Sequence, residues 1–172
     1  ATIVYSMGVC MMFGFSALYH RVDWRSRVLT IMRRLDHSAI FVMIAGSFTP
    51  ICLLVLPGDT GIQLLFIIWI IAGIGILQTV LFTQTPRLVR AGIYLVAGYM
   101  AIPYLSMMFS VMSMTNFTLT AAGGTIYTVG AIGYGFKFPD ISPKYFGYHE
   151  FFHILVSIAA VLHFIVIYSI VG

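Results

Sequence analysis

Charged residues are scarce in this 172-residue chain, which has nine Lys or Arg and five Asp or Glu, or 8% of all residues. Water-soluble domains carry roughly 25% charged residues. Because 60% of the residues are also apolar, the composition excludes a soluble globular domain and a disordered segment. The net charge of +4 does not indicate nucleic-acid binding, because no polar domain is present to carry a basic face.

Cysteine is almost absent as well. The two cysteines, Cys10 and Cys52, lie within apolar runs, where a thiol behaves as a small hydrophobic group. The chain therefore lacks the spaced cysteine pairs of a secreted disulfide scaffold.

Long uncharged apolar runs, in contrast, are abundant. A helix that crosses a bilayer needs about 20 mainly apolar residues, and six runs without Lys, Arg, Asp or Glu meet this requirement: 1–20, 38–56, 62–82, 91–113, 117–136 and 151–171. None shows the alternating pattern of a barrel strand. We therefore predict one all-α integral membrane domain over residues 1–172, with six spans.

Pro50 and Pro103 are expected to kink the second and fourth spans. The glycines of the fifth span are expected to pack closely against neighbouring helices, and they are Gly123, Gly124, Gly130, Gly133 and Gly135.

The basic residues predict the orientation of the chain. All nine fall in the connections after the first, third and fifth spans, and they are Arg21, Arg25, Arg27, Arg33, Arg34, Arg87, Arg90, Lys137 and Lys144. Positively charged connections face the cytoplasm, so both ends of the chain are predicted to lie outside. A chain that begins directly with a span also suggests that one N-terminal helix is missing, with a cleaved signal peptide as the alternative.

The first connection carries an amphipathic pattern. Apolar residues recur there at helical spacing between the arginines, and they are Trp24, Val28, Ile31, Met32 and Leu35. This pattern predicts a short interfacial helix, with Trp24 at the headgroup level and the arginines near anionic lipid. A solvated basic loop is the alternative.

Histidines near the cytoplasmic ends of the spans are the main candidates for function, because ionisable residues at membrane depth are costly. His149 and His153 are four residues apart in an H-E-x-x-H string, which puts both imidazoles on one helix face. Ser16 and His20 repeat that spacing on the first span. Three imidazoles plus one open position are typical of catalytic zinc. The alternative is that these histidines bind backbone groups or lipid headgroups.

The remaining polar residues have less certain roles. Asp36 is the preferred base beside the metal, because it lies next to the histidine cluster, and Glu150 is the alternative with the metalloprotease spacing. His37 is predicted to pack or to support the site. His163 lies about 15 Å along the helix from His153, so it is predicted to be an interior histidine. Haem is the alternative cofactor, although an i, i+4 pair converges better on a small ion.

Three segments carry a family resemblance: Ser16-Ala17-Leu18-Tyr19-His20, Arg34-Leu35-Asp36-His37-Ser38 followed by Gly46-Ser47-Phe48-Thr49-Pro50, and His149-Glu150-Phe151-Phe152-His153. In this order they resemble the haemolysin III branch of the progestin and adipoQ receptor family. The resemblance covers essentially the whole chain. It implies a seven-transmembrane-type bundle whose first helix is absent here. It also implies zinc ligands at His20, His149 and His153, with Asp36 holding the water at the zinc and Ser16 supporting the site.

The function expected from these observations is a zinc-dependent hydrolase that cleaves an amide or ester bond in a membrane lipid, in the manner of the ceramidase relatives of this family. The alternatives are a membrane sensor or regulator with structural zinc and a pore-forming cytolysin. The expected partner is membrane lipid, and a homo-oligomer is one alternative for the assembly. The branch resemblance implies a bacterial cytoplasmic membrane, with the zinc site toward the cytoplasm and the C-terminus outside.

Overall fold

The computed structural model describes residues 1–82, 84–142 and 146–172. Two compact units divide the chain, Ala1–Thr85 and Pro86–Gly172. Helices dominate both units, and the described residues outside them include one isolated antiparallel bridge between Ser142 and Phe146. The predicted all-α class is confirmed. The prediction that the whole chain forms a single domain stays a prediction.

The first unit consists of three helices: α1 (Thr2–Arg21), α2 (Ser26–Leu54) and α3 (Gly58–Leu81). The central helix, α2, packs against both of the others. Where α1 crosses α2, each helix contributes a glycine. A methyl group on Gly8 would meet the Met43 backbone at 3.3 Å, and one on Gly46 would meet the Val4 carbonyl oxygen at 3.3 Å. The two backbones therefore approach closely, as small residues allow in membrane helices.

Three contacts fix how α3 lies along α2. Gly61 of α3 packs against the Cys52 carbonyl, and Gly75 packs against the Phe41 ring. Between these two levels the Trp69 indole Nε1 donates a hydrogen bond to the Thr49 hydroxyl over 3.2 Å. The two helices are thus antiparallel, because the residue numbers rise along α3 while those of the contacted residues on α2 fall.

The predicted separate interfacial helix is wrong. The amphipathic run is helical, but it forms the first turns of α2, which begins at Ser26 and continues without a break to Leu54. Trp24 precedes this helix, and its indole Nε1 donates a 2.8 Å hydrogen bond to the Leu18 carbonyl of α1. That bond satisfies one of the carbonyls left without a partner at a helix C-terminus.

The second unit contains α4 (Arg87–Tyr99), a 3₁₀ turn (Ile102–Tyr104), α5 (Leu105–Val111), α6 (Met114–Phe136) and α7 (Tyr148–Val171). The break between α4 and α5 contains Pro103, so the fourth span is distorted at the proline predicted to kink it, and the distortion is a break in the helix. Proline lacks the amide hydrogen that a continuous helix would need there.

Helix α6 is central in the second unit and packs against α4 and α7. The predicted close packing of its glycines is confirmed for four of the five. Methyl groups on Gly123, Gly130 and Gly133 would meet residues of α7 or of the loop before it, and one on Gly135 would meet Leu88 of α4. Gly124 has open space instead. The α6 threonines donate to carbonyls one turn back in the same helix, from Thr118, Thr120, Thr125 and Thr128.

Within the described residues, five helical stretches are long and apolar enough to cross a membrane: Thr2–Arg21, Ser26–Leu54, Gly58–Leu81, Arg87–Val111 and Tyr148–Val171. Many of their large apolar side chains are exposed, such as Ile3 and Phe66, which suits contact with lipid. The protein is therefore an integral membrane protein. Helix α6 has the necessary length, but its threonines and glycines lower its hydropathy, so the predicted fifth span, residues 117–136, stays a prediction. The orientation also stays a prediction, and Lys144 lies outside the described residues.

Candidate metal centre

The first two turns of α7 hold the histidine pair. His149 and His153 are both partly buried, and their Nε2 atoms lie 3.1 Å apart. The two rings are nearly perpendicular, with an interplanar angle of 84° and centroids 4.6 Å apart. The i, i+4 spacing therefore brings the two imidazoles together on one face of the helix, as the sequence predicts.

This separation suits a small metal ion. Two Nε2 atoms so close cannot both carry a proton directed at the other, so at least one presents its lone pair. With Zn–N bonds of about 2.05 Å, nitrogens 3.1 Å apart subtend about 98° at the ion, close to the tetrahedral angle of about 109°. A haem iron takes its axial ligands from opposite faces of the porphyrin, and two converging nitrogens of one helix do not fit that arrangement.

Aromatic side chains surround the pair. The Tyr134 ring of α6 lies 5.9 Å from the His149 ring and 5.1 Å from the Phe152 ring, measured between centroids. Tyr148 accepts a 2.8 Å hydrogen bond from Arg87 Nη1, and the Arg87 guanidinium also lies 5.4 Å from the centre of the Tyr148 ring. These contacts hold the beginning of α7 against α4 and α6. Sequence reasoning missed them, since Arg87 and Tyr148 are 61 residues apart.

Glu150 has a structural contact of its own. Its Oε2 accepts a 2.9 Å hydrogen bond from the Gly147 amide, at the residue that begins the helix. This is the return half of a capping box, in which a carboxylate at the third helical position satisfies the amide of the N-cap residue. The side chain is exposed, and its charge also suits a helix N-terminus. The Gly-x-x-Glu spacing before an apolar run could have revealed this role.

The other candidate residues belong to the first unit. Ser16 is partly buried on α1, and His20 is exposed in its last turn, where its ring lies 4.6 Å from the Tyr19 ring. Asp36 and His37 are partly buried on α2. The roles of these four residues stay predictions.

His163 lies in the interior of the second unit. Its ring packs against Gly123 and lies 5.6 Å, edge to face, from the Tyr127 ring. Nε2 of His163 is buried without a hydrogen-bond partner among the described residues. This placement agrees with the predicted interior position.

Comparison with known proteins identifies the family. A family model described as haemolysin-III related matches residues 1–164. The chain belongs to this haemolysin-III family. Its similarity to Hemolysin-3 of Bacillus cereus is 35% identity over 134 residues, covering 77% of this chain and 60% of the relative. The Hemolysin-3 homolog of Bacillus subtilis is 33% identical, covering 78% and 62%. The human monocyte to macrophage differentiation factor is 28% identical over 173 residues, covering 96% and 68%.

The haemolysin-III resemblance predicted from the three motifs is thus confirmed. The chain spans about three fifths of the length of the two Bacillus relatives. The names of the relatives describe a haemolysin and a differentiation factor, which are different activities in different organisms. Membership of the family therefore supports an integral membrane protein but does not identify its activity. The activity has to be argued from the residues of the candidate metal centre.

Proposed function

We propose that this haemolysin-III protein is a zinc-dependent membrane hydrolase that cleaves an amide or ester bond of a lipid. The observation that carries the proposal is the pair of Nε2 atoms of His149 and His153, 3.1 Å apart at the end of a long apolar helix. His20 is proposed as the third ligand because its motif resembles the first-span motif of the family. Three histidine ligands leave one coordination position open, as catalytic zinc requires.

The chemistry proposed for the site is hydrolysis of a carbonyl compound. Bound zinc would supply Lewis-acid polarisation of the substrate carbonyl. The Asp36 carboxylate would accept a proton from the attacking water as the new carbon–oxygen bond forms. It would return that proton to the leaving nitrogen or oxygen as the old bond breaks. The Ser16 hydroxyl would support this arrangement by hydrogen bonding. The engagement of Glu150 with the Gly147 amide favours Asp36 as the base.

Metal analysis of the purified protein tests the metal site. We expect about one zinc per chain in the parent protein and a loss of most of it in His153→Ala, because two ligands hold zinc far more weakly than three. His163→Asn is the matched control, since it removes an imidazole of the same helix outside the pair. The site is rejected if the parent, purified without chelators, contains no zinc, or if both variants lose it equally while remaining folded.

Turnover tests the reaction. The parent should release fatty acid from lipid amides or esters in detergent micelles, and Asp36→Asn should keep its zinc while losing at least about 100-fold in rate, the usual contribution of a general base. If the parent protein binds zinc but hydrolyses no lipid, the result favours the alternative function of a membrane sensor or regulator with structural zinc.

A second candidate is a pore-forming cytolysin, which the names of the Bacillus relatives favour. Dose-dependent release of a dye from liposomes by the purified protein would support it. If release is unchanged in His153→Ala, pore formation is independent of the metal site.

A further inference from the structure

The first turn of α7 carries one of the two paired histidines and has few bonds of its own. The first hydrogen bond within this helix runs from the Phe151 amide to the Gly147 carbonyl oxygen over 3.1 Å. The amides of Tyr148 and His149 come before it and have no acceptor within the helix. Such helix ends open most readily. Because a metal ion bound by His149 and His153 needs both imidazoles at once, contacts that hold this turn closed affect metal binding.

Arg87 is the first residue of α4, and it holds Tyr148, the first residue of α7, in two ways. Its Nη1 donates a 2.8 Å hydrogen bond to the Tyr148 hydroxyl, and its guanidinium carbon lies 5.4 Å from the centre of the Tyr148 ring. A hydrogen bond from a charged donor is stronger than a neutral one. Arg87 is also partly buried, which strengthens its attraction to an aromatic ring. The guanidinium therefore fixes both the ring and the hydroxyl of Tyr148.

The His149 ring has three aromatic neighbours. Measured between centroids, it lies 5.9 Å from Tyr134, 6.4 Å from Tyr148 and 4.6 Å from His153. The Tyr134 ring of α6 also lies 6.2 Å from the Tyr148 ring. Aromatic rings at such separations interact with each other. The position of Tyr148 therefore affects the His149 ring directly, through the backbone between them, and through Tyr134.

We propose that Arg87 is a positioning residue of the metal centre, which holds the His149 imidazole beside that of His153. It acts through Tyr148 and Tyr134, and these two residues together with Arg87 are named the aromatic latch. The apparent affinity for a metal falls in proportion to the fraction of molecules whose ligands are in place, and the aromatic latch raises that fraction. This inference rests on the metal site of the proposed function, and it holds whether or not a bound metal hydrolyses lipid.

The positive charge of Arg87 lets the sign of an effect distinguish positioning from electrostatics. A guanidinium cation repels a divalent cation bound nearby. If Arg87 acted on the site through its charge alone, removing the charge would raise the affinity for zinc. Positioning predicts the opposite result, because the loss of Arg87 lowers the affinity for zinc even though a repelling charge is gone.

The zinc affinity of the full chain in detergent, measured by competition with a chromophoric chelator, tests the aromatic latch. Arg87→Met keeps the length of the side chain but neither its charge nor its donors. It should weaken zinc binding about tenfold, as is usual for residues that orient metal ligands. Arg87→Lys restores a cation and a donor and should recover most of the affinity. Lys137→Met is the matched control, because it removes a positive charge from an exposed residue at the end of α6; it should bind zinc as tightly as the parent or slightly more tightly.

Two further variants separate positioning from a general loss of stability. Gly61→Ala, whose methyl group would meet the Cys52 carbonyl, should lower the unfolding midpoint and leave the zinc affinity of the folded protein unchanged. In a Tyr148→Phe background, Arg87→Met should weaken zinc binding less than it does in the parent, because both substitutions remove the same hydrogen bond.

The outcomes separate this inference from the proposed function. Unchanged or tighter zinc binding in Arg87→Met would overturn the inference and leave the metal site intact. Equal weakening in Arg87→Met and Gly61→Ala, or fully additive losses in Arg87→Met and Tyr148→Phe, would overturn it as well. A parent protein that binds no zinc would reject the metal site and this inference with it.

Discussion

Glu150 offers a decisive experiment, because its two possible roles predict effects of very different size. The structure gives it a capping hydrogen bond of 2.9 Å to the Gly147 amide. Loss of an N-terminal cap costs about 0.5–2 kcal/mol, and the exposure of this side chain favours the lower half of that range. A cost of about 1 kcal/mol corresponds to about a fivefold change in an equilibrium constant.

Two substitutions separate the roles. Glu150→Ala removes the cap, so the first turn of α7 should open up to about fivefold more often, and zinc binding through His149 should weaken by no more than that. Glu150→Gln keeps an oxygen for the Gly147 amide and should resemble the parent in both respects. If Glu150 were the general base, either substitution would lower turnover about 100-fold or more.

Three measurements on the same preparations distinguish these outcomes. Hydrogen–deuterium exchange at the start of α7 measures the loss of the cap, and metal analysis measures the zinc content. Release of fatty acid from lipid amides or esters in detergent micelles measures the loss of a general base. Exchange that is unchanged in Glu150→Ala would refute the capping role. A Glu150→Gln protein with full zinc and a turnover lowered 100-fold would transfer the role of base from Asp36 to Glu150.

Two further predictions concern packing. Gly61→Ala should destabilise the protein by about 1–3 kcal/mol, because a methyl group there would collide with the Cys52 carbonyl. Gly73→Ala on the same helix is the control, since its methyl group would face open space and should be neutral or stabilising. Equal unfolding midpoints of the two variants in detergent would contradict this packing. Tyr148→Phe keeps the ring under Arg87 but removes the acceptor of its 2.8 Å hydrogen bond. We expect the free energy of unfolding to fall by about 0.5–1.5 kcal/mol in the same assay. A fall as large as that of Tyr148→Ala would show that the hydroxyl, and not the ring, carries the whole contact.

The sequence predicted the helices better than their ends. Charge-free runs located every long helix, but α2 begins at Ser26 rather than at residue 38. Absence of charge marks where a helix can lie in lipid, and a helix can continue beyond that depth. Arg27, Arg33 and Arg34 occupy its first turns, where polar side chains reach the surface. The break at Pro103 was predictable because proline removes a backbone donor.

The candidate site was predictable where its geometry is local. The i, i+4 spacing alone brings His149 and His153 within 3.1 Å, and the capping role of Glu150 also depends on residues three apart. The contacts of Tyr134 and Arg87 with the start of α7 depend on packing between helices distant in the sequence. No periodicity encodes such contacts, so one sequence does not reveal them.

The internal hydrogen bonds of the α6 threonines bear on how favourably that helix would enter a bilayer as the predicted fifth span. Residue hydropathy scales assign each threonine hydroxyl the full free-energy cost of losing its hydrogen bonds to water. In α6 the hydroxyls of Thr118, Thr120, Thr125 and Thr128 already donate to carbonyls of the same helix. A donor satisfied within its own segment escapes most of the desolvation cost of transfer. The insertion free energy of α6 should therefore be more favourable than its composition suggests, which would let a segment rich in threonine and glycine enter the membrane before its neighbours pack against it.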